Sequence, residues 1–154
     1  MATTSKLIDV DVLAIFLVED HPGHRYVDPV VSAGLAGGYR LLVPGDLPLQ
    51  ARWLLTAEWG VPAAEADRAI EDFLEQRRVR YVSPDRGTLQ AAFALARRLR
   101  CDVADAAYLA LARAHGASAF VTTDAGLRTL CEKAGIAYEN PIPRAVLAEF
   151  AAEG

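Results

Sequence analysis

Apolar residues follow two different spacings along this chain, and the spacings predict a series of strands and helices. Short, nearly continuous apolar runs predict buried strands. We place these strands at residues 6–10, 39–43, 80–82, 119–122 and 136–138. Apolar residues that recur at helical spacing predict helices with one buried face. We place these helices at residues 12–18, 26–35, 47–59, 62–74, 83–99, 102–114, 124–134 and 143–151.

Polar residues mark where several of these helices begin. Asp46 and Ser83 occupy predicted N-cap positions, and a proline in the first turn follows each of them. In the helix of residues 47–59, Leu49, Trp53 and Leu54 share one face, which we expect to be buried.

The alternation of strands with helices predicts an α/β fold with a parallel sheet. The length of 154 residues indicates one domain, residues 1–154, and a hydrophobic content of 53% is sufficient for a sizeable core. The net charge is −4 and the pI is near 5.3, which argues against a protein that coats nucleic acid through bulk positive charge.

Local positive charge is still available. All basic residues except Lys6 and Lys133 are arginines, which suit bidentate contacts with phosphate. The arginine-rich segment 76–80 fits either a solvated helix end or a patch that faces phosphate.

Cysteine usage and hydropathy indicate a cytoplasmic protein that is not embedded in a membrane. Cys101 and Cys131 lie in separate predicted elements and have no CxxC spacing, which favours reduced thiols. No apolar segment is as long as a membrane span, and aspartates interrupt the apolar run near the N-terminus, so we expect no signal peptide. His21 and His24 flank a Pro-Gly turn, which favours a solvated loop over a metal site.

The candidate chemistry comes from three aspartates at the ends of predicted elements. Asp9 lies at or near the end of the first strand, among apolar residues, where a carboxylate is costly unless it is paired or bound to a cation. Asp105 lies in the first turn of the long apolar helix, and Asp124 follows the fourth strand. Taken singly, Asp105 and Asp124 also fit capping roles, because aspartate is favoured at helix starts.

The parallel topology gives these acids a common location. The carboxyl ends of parallel strands meet at one edge of the sheet, where open α/β proteins bind ligands. Carboxylates that converge repel one another unless a cation lies among them, and Mg²⁺ or Mn²⁺ prefers oxygen ligands. Such a cluster can activate water against a phosphodiester.

Two further acids have alternative interpretations. Asp11 faces the same way as Asp9 if the strand continues that far, but it also fits the N-cap of the first helix. Asp102 fits the N-cap of the long apolar helix, or a supporting position beside the metal.

Three segments resemble the PIN-domain family, in its compact VapC-like toxin type. They are LIDVDVL near the N-terminus, DVADAAYLALARAHGA, and VTTDAGL. The resemblance covers nearly the whole chain. Matched position by position, Asp9, Asp105 and Asp124 correspond to acids of the family's site, and Thr122 corresponds to the threonine that usually precedes the last of them.

This resemblance implies a three-layer α/β/α fold with a small parallel sheet flanked by helices. It also implies metal-dependent ribonuclease activity on RNA, homodimerisation, and often inhibition by a partner antitoxin. Asp9, Asp105 and Asp124 would then be the catalytic metal ligands for Mg²⁺ or Mn²⁺.

One position departs from the family's pattern. The family usually has a glutamate early in the helix after the second strand, and Gln50 occupies that position here. Glutamine offers a neutral oxygen, so one full charge is missing. Asp11 could restore it, whereas Asp46 and Glu58 lie a helical turn or more from position 50 and are not simple substitutes.

Two other functions compete with a ribonuclease. A catalytically weak or inactive PIN-fold module that binds RNA or a protein partner is consistent with Gln50. The Asp9-Val10-Asp11 opening also resembles haloacid-dehalogenase-like phosphatases, in which the two aspartates would be nucleophile and general acid. That family needs a later lysine beside an acidic pair, and Lys133, the only late lysine, has no such pair.

Overall fold

The computed structural model describes residues 4–153, with side chains described to residue 149. The predicted domain of residues 1–154 therefore includes positions 1–3 and 154 that lie outside the described residues. In the described part, a parallel sheet of five strands has the order β3-β2-β1-β4-β5. The strands are β1 (Ser5–Ile8), β2 (Arg40–Pro44), β3 (Val79–Val82), β4 (Ala119–Val121) and β5 (Ala137–Glu139). The α/β fold with a small parallel sheet is confirmed.

Helices cover both faces of this sheet and make the predicted three-layer α/β/α arrangement. Their bounds are α1 (Val10–Leu17), α2 (His24–Leu35), α3 (Leu47–Trp53), α4 (Ala63–Leu74), α5 (Arg86–Leu99), α6 (Val103–Ala114), α7 (Leu127–Ala134) and α8 (Arg144–Glu153). A π-helical turn, Leu54–Glu58, continues α3. None of the helices in the described part of the chain is long and apolar enough to cross a membrane.

Alternate residues of the central strands supply the two halves of the core. On one face, Ile8 and Val121 pack with residues of α1, α2 and α3. On the other, Leu7 and Phe120 pack with residues of α5, α6 and α7. This alternation follows from the two-residue period of a strand that is buried on both faces. The buried strands fix α1 and α6 on opposite faces, with the carboxyl ends of β1 and β4 between them.

The helix of residues 47–59 buries a different face from the one predicted. Leu49 is 74% exposed and Trp53 is 61% exposed, so the prediction that they line the buried face is wrong. Leu47, Ala51 and Leu55 are buried instead. The spacing of the apolar residues allowed either of two faces of this helix to be buried. Packing against α1 selected the face that carries the smaller Ala51.

Two predicted helix starts also need correction. Asp85, and not Ser83, caps α5, since its side chain accepts a hydrogen bond from the Thr88 backbone N–H. Helix α7 begins at Leu127 and not at Asp124, because residues 122–126 form a turn held by side-chain hydrogen bonds. Both differences reflect aspartate and threonine side chains that bind nearby backbone groups.

Candidate active site

The sheet reverses its strand order at β1, and the candidate site lies at this point. From β1 the chain proceeds outward through β2 and β3, and β4 then pairs with the other side of β1. Ile8 is in register with Val121, so Asp9 and Thr122 follow directly from paired residues. A crevice at the carboxyl ends of such strands is the usual ligand site of an open α/β sheet.

Asp9 occupies the N-cap position of α1, one residue beyond the strand to which the sequence assigned it. Its backbone N–H still donates to the carbonyl of Val121, at 3.0 Å, and extends the pairing with β4. One carboxylate oxygen accepts from the Val10 N–H at 2.7 Å, and the other accepts from the Thr122 hydroxyl at 2.9 Å. The side chain is thus held firmly at the end of the central strand.

Burial makes the Asp9 carboxyl an unusually weak acid. The residue is only 7% exposed. This desolvation is the largest cause, and together with the charges of Asp11 and Asp124 it raises the pKa of the Asp9 carboxyl from 3.8 to about 6, against the lowering effect of the hydrogen bonds that Asp9 accepts from Thr122 and Val10. A carboxylate with a raised pKa beside like charges is a group that a bound cation would stabilise.

Asp11 lies in the first turn of α1, and the structure brings it to the same place. Burial raises its pKa, and the charge of Asp124 raises it further. The Thr123 hydroxyl donates to it across a long 3.4 Å contact. Asp9, and not Asp11, holds the N-cap position, so the capping alternative for Asp11 is wrong.

A turn after β4 presents Asp124. The Asp124 N–H donates to the Thr122 hydroxyl oxygen at 3.1 Å, and a carboxylate oxygen of Asp124 accepts from the Gly126 N–H at 2.8 Å. Thr122 therefore connects Asp9 to Asp124: its hydroxyl donates to one and accepts from the other. Thr122 is fully buried, so this link is shielded from water.

Residues after β5 support the same turn from the outside. The Tyr138 hydroxyl donates to the Asp124 carbonyl at 3.2 Å. The Asn140 amide donates to the Tyr138 hydroxyl at 3.0 Å and to the Thr123 carbonyl at 3.4 Å. These positioning residues were not predicted, because nothing in the sequence before them indicates a contact with the turn.

The two acids of α6 have different roles. Asp102 caps the helix through the Ala104 N–H at 2.7 Å, so its N-cap interpretation is confirmed. Asp105 is half-buried, and burial together with the charges of Asp102 and Asp124 raises its pKa. The charge of Asp124 therefore acts on Asp105 as well as on Asp9 and Asp11.

Gln50 also lies at this edge, in contact with α6. The Tyr108 hydroxyl donates to its side-chain oxygen at 3.2 Å, and its amide nitrogen donates to an Asp46 carboxylate oxygen at 2.6 Å. Tyr108 lies one turn beyond Asp105 in α6. Tyr108 was not predicted from the sequence, although its spacing from Asp105 places both side chains on one face of the helix.

Other sequence candidates are structural. His21 accepts from the Gly23 N–H at 2.9 Å, and a ring nitrogen of His24 lies 3.1 Å from the Ile15 carbonyl, so both help to shape the α1–α2 connection. In the arginine-rich segment, Arg78 donates to the Ala36 carbonyl at 3.3 Å, away from the acids described above.

The acids share one electrostatic environment, but they are not gathered around a single point. Among residues 4–149, no group of three or more His, Cys, Asp or Glu side chains is close enough to hold a metal ion. The donor set nevertheless fits a hard divalent cation, because it consists of carboxylate, hydroxyl and amide oxygens. To share one ion, Asp9, Asp105 and Asp124 would have to come closer together than they lie here.

Comparison with known proteins decides the family. A sequence model of the PIN domain matches residues 6–133. The chain belongs to the PIN domain family. The match spans the candidate site from Asp9 to Asp124, and it lends no support to the phosphatase alternative. A search of curated protein sequences finds no match.

Solved structures share this PIN fold at low sequence identity. The VapC20 toxin of Mycobacterium tuberculosis, described as cleaving the sarcin–ricin loop, is 16% identical, with 81% of this chain and 94% of that chain covered and a TM-score of 0.64. VapBC2 of Rickettsia felis, solved with a promoter DNA fragment, is 9% identical, with 89% and 98% covered and a TM-score of 0.68. FitAB bound to a DNA fragment is 20% identical, with 88% and 94% covered and a TM-score of 0.63.

Proposed function

We propose that this PIN-domain protein is an endoribonuclease that hydrolyses RNA phosphodiesters with Mg²⁺ or Mn²⁺, and that it is the toxin of a toxin–antitoxin pair. The observation that carries the proposal is the link through Thr122, which joins Asp9 to the Asp124 turn at the carboxyl ends of adjacent central strands. Membership of the PIN family and the likeness to VapC toxins support a nuclease of this kind.

In this proposal Asp9, Asp105 and Asp124 hold the metal, and Asp11 adds a further negative charge. When bound, the ion would lower the pKa of an attacking water and neutralise charge on the phosphate. The chain's own task is to keep these carboxylates ionised and to hold them at the same edge of the sheet. Thr122 does so by donating to Asp9, and the hydrogen bonds of Tyr138 and Asn140 do so by fixing the turn that carries Asp124.

The raised pKa values of the site carboxyls fit the binding of a cation. Burial and mutual repulsion raise the pKa of Asp9 and of Asp11, so the free site is electrostatically unfavourable at neutral pH. A divalent cation would remove that cost. Metal binding should therefore weaken as the pH falls toward 6, because protons then compete for Asp9.

The partners proposed are an antitoxin protein and a second copy of the chain. VapBC2 and FitAB are each named as a pair and were solved with DNA, which supports a bound antitoxin here. Leu89 is 46% exposed and Phe93 is 56% exposed on one face of α5, which supports self-association as a homodimer. Light scattering of the parent and of a Leu89→Ser/Phe93→Ser variant tests the dimer, which the variant should lose.

Metal binding and RNA cleavage should be measured on the same preparations. We expect Mn²⁺ to bind the parent in a calorimetric titration, and binding to be lost in an Asp9→Asn/Asp105→Asn variant. The parent should cleave a structured RNA only with added metal, and the variant should not. Absence of Mn²⁺ binding by the folded parent would refute the metal-dependent form of the proposal.

A catalytically weak module that binds RNA or a protein partner is the second candidate, and Gln50 is the observation that favours it. In that case the parent would shift a labelled RNA in a gel in the presence of a chelator, and added Mn²⁺ would produce no cleavage. RNA binding that survives in the Asp9→Asn/Asp105→Asn variant would point the same way.

A further inference from the structure

A hydrogen-bonded chain of three side chains joins α3 to α6 at the carboxyl end of the sheet. Tyr108 donates to Gln50 at 3.2 Å, and Gln50 donates to Asp46 at 2.6 Å. Asp46 follows β2 by two residues, and β2 is paired with β1, which leads into Asp9. The three side chains therefore lie beside the candidate active site and not on a remote surface.

The direction of these hydrogen bonds is determined by chemistry. An ionised Asp46 can only accept, so the Gln50 amide nitrogen must face it. The Gln50 oxygen then points to Tyr108, whose hydroxyl must donate. Gln50 is thus held from both sides, and it holds the Asp46 carboxylate in turn.

Asp46 does not act as a helix cap, although it occupies the N-cap position of α3. Its backbone is helical, and its side chain makes no capping hydrogen bond. The carboxylate is free to turn toward Gln50 instead. Burial raises the pKa of the Tyr108 hydroxyl, and the charges of Asp9, Asp46 and Asp11 raise it further. Tyr108 therefore lies within the fields of all three carboxylates.

We propose that Asp46 supplies the negative charge that Gln50 lacks, and that Gln50 and Tyr108 position the Asp46 carboxylate for the metal. This inference rests on the proposed metal-dependent function. A glutamate in the place of Gln50 would bring a carboxylate oxygen to within 2.6 Å of an Asp46 oxygen, which two ionised groups cannot tolerate without a proton or a cation between them. Asp46 and Gln50 thus form a matched pair, in which the negative charge lies at position 46, one helical turn before position 50.

Calorimetric titration of Mn²⁺ at pH 7.5 tests the pair, with binding and not cleavage as the readout. The variants are Asp46→Asn, Gln50→Ala, Asp46→Asn/Gln50→Ala and Asp46→Asn/Gln50→Glu. Asp72→Asn, in the exposed part of α4, is the matched control for loss of one surface charge. Asp46 and Gln50 are both exposed, so we expect every variant to fold, and circular dichroism checks this.

The proposal predicts a distinct pattern of affinities. Asp46→Asn should weaken Mn²⁺ binding about 10-fold or more, and Gln50→Ala should weaken it by a smaller factor. Asp46→Asn/Gln50→Ala should bind no more weakly than Asp46→Asn, because Gln50 acts through Asp46. Asp46→Asn/Gln50→Glu should recover most of the lost affinity, since the charge then returns to position 50.

Two results would overturn the inference. If Asp46→Asn binds Mn²⁺ within about twofold of Asp72→Asn while Asp9→Asn/Asp105→Asn, titrated beside them, binds far more weakly, the metal site stands and Asp46 has no part in it. If the folded parent itself binds no Mn²⁺, the proposed function fails in its metal-dependent form. This inference then fails too, because it depends on a bound metal. The two failures are therefore distinguishable in one set of titrations.

Discussion

Replacing Asp9 with asparagine should stabilise the metal-free protein at neutral pH. Asp9 is 7% exposed, and its pKa rises from an ordinary 3.8 to about 6. The folded state binds the proton of the Asp9 carboxyl more tightly than the unfolded chain does. Ionising Asp9 at pH 7 therefore lowers the free energy of unfolding. The rise in pKa corresponds to a loss of at most about 3 kcal/mol in the free energy of unfolding. We expect Asp9→Asn to raise the free energy of unfolding by about 1–3 kcal/mol, since asparagine is neutral and can keep the hydrogen bond from the Val10 N–H.

The sign of the pH dependence follows from the same linkage. Stability from this group is greatest below the unfolded pKa of 3.8, and it decreases as the pH rises from about 4 through about 6. Burial also raises the pKa of Asp11 and of Asp105, and both contribute in the same direction. The parent should therefore lose stability between pH 5 and pH 7.5 relative to Asp9→Asn.

Urea denaturation followed by circular dichroism, in a chelating buffer at pH 5.0 and pH 7.5, measures both effects. Asp72→Asn serves as the control, and we expect its free energy of unfolding to lie within about 0.5 kcal/mol of the parent. If Asp9→Asn is less stable than the parent at pH 7.5, the carboxylate is not destabilising there, and the argument from burial and repulsion is wrong.

Three further predictions concern the link, the core and the metal. Thr122→Val should destabilise the fold by about 1–3 kcal/mol and raise the pKa of Asp9 further, as measured by urea denaturation and a carboxyl NMR titration; an unchanged pKa would contradict it. Leu109→Ala, at a position only 1% exposed, should cost about 2–5 kcal/mol in the same denaturation assay, and a loss below 1 kcal/mol would contradict the packing of α6. Mn²⁺ at 100 times its dissociation constant should stabilise the parent by about 2.7 kcal/mol in thermal melts, but not Asp9→Asn/Asp105→Asn; equal shifts would place binding elsewhere.

Two simple rules were enough to place Asp9 and Asp124 from the sequence. Both aspartates follow an apolar strand, and the carboxyl ends of parallel strands meet at one edge of the sheet. The β1–β4 pairing confirms that placement. What these rules do not fix is the local backbone: Asp9 begins a helix, and Asp124 lies in a turn three residues before one. Short polar side chains that bind adjacent N–H groups made that difference.

Contacts between distant elements were beyond the sequence. The Tyr108–Gln50 hydrogen bond joins residues 58 apart, and no local pattern encodes it. Asp46 was correctly placed at the start of a helix, but its side chain accepts a hydrogen bond from the Gln50 amide and makes no capping hydrogen bond to the backbone. The exposed face of α3 was mispredicted for a related reason, since the choice between two apolar stripes depends on the shape of the neighbouring α1.

The hydrogen bond from Thr122 to Asp9 spans 113 residues, and this separation has a consequence for biosynthesis. A nascent chain that has emerged only to the end of α6 already contains Asp9, Asp11 and Asp105, but β1 still lacks its neighbour β4. Pairing between strands so distant in sequence forms late, because it closes the longest loop. A growing polypeptide therefore cannot assemble the acidic centre beside the ribosome that makes it until β4 and the turn that carries Asp124 have been synthesised.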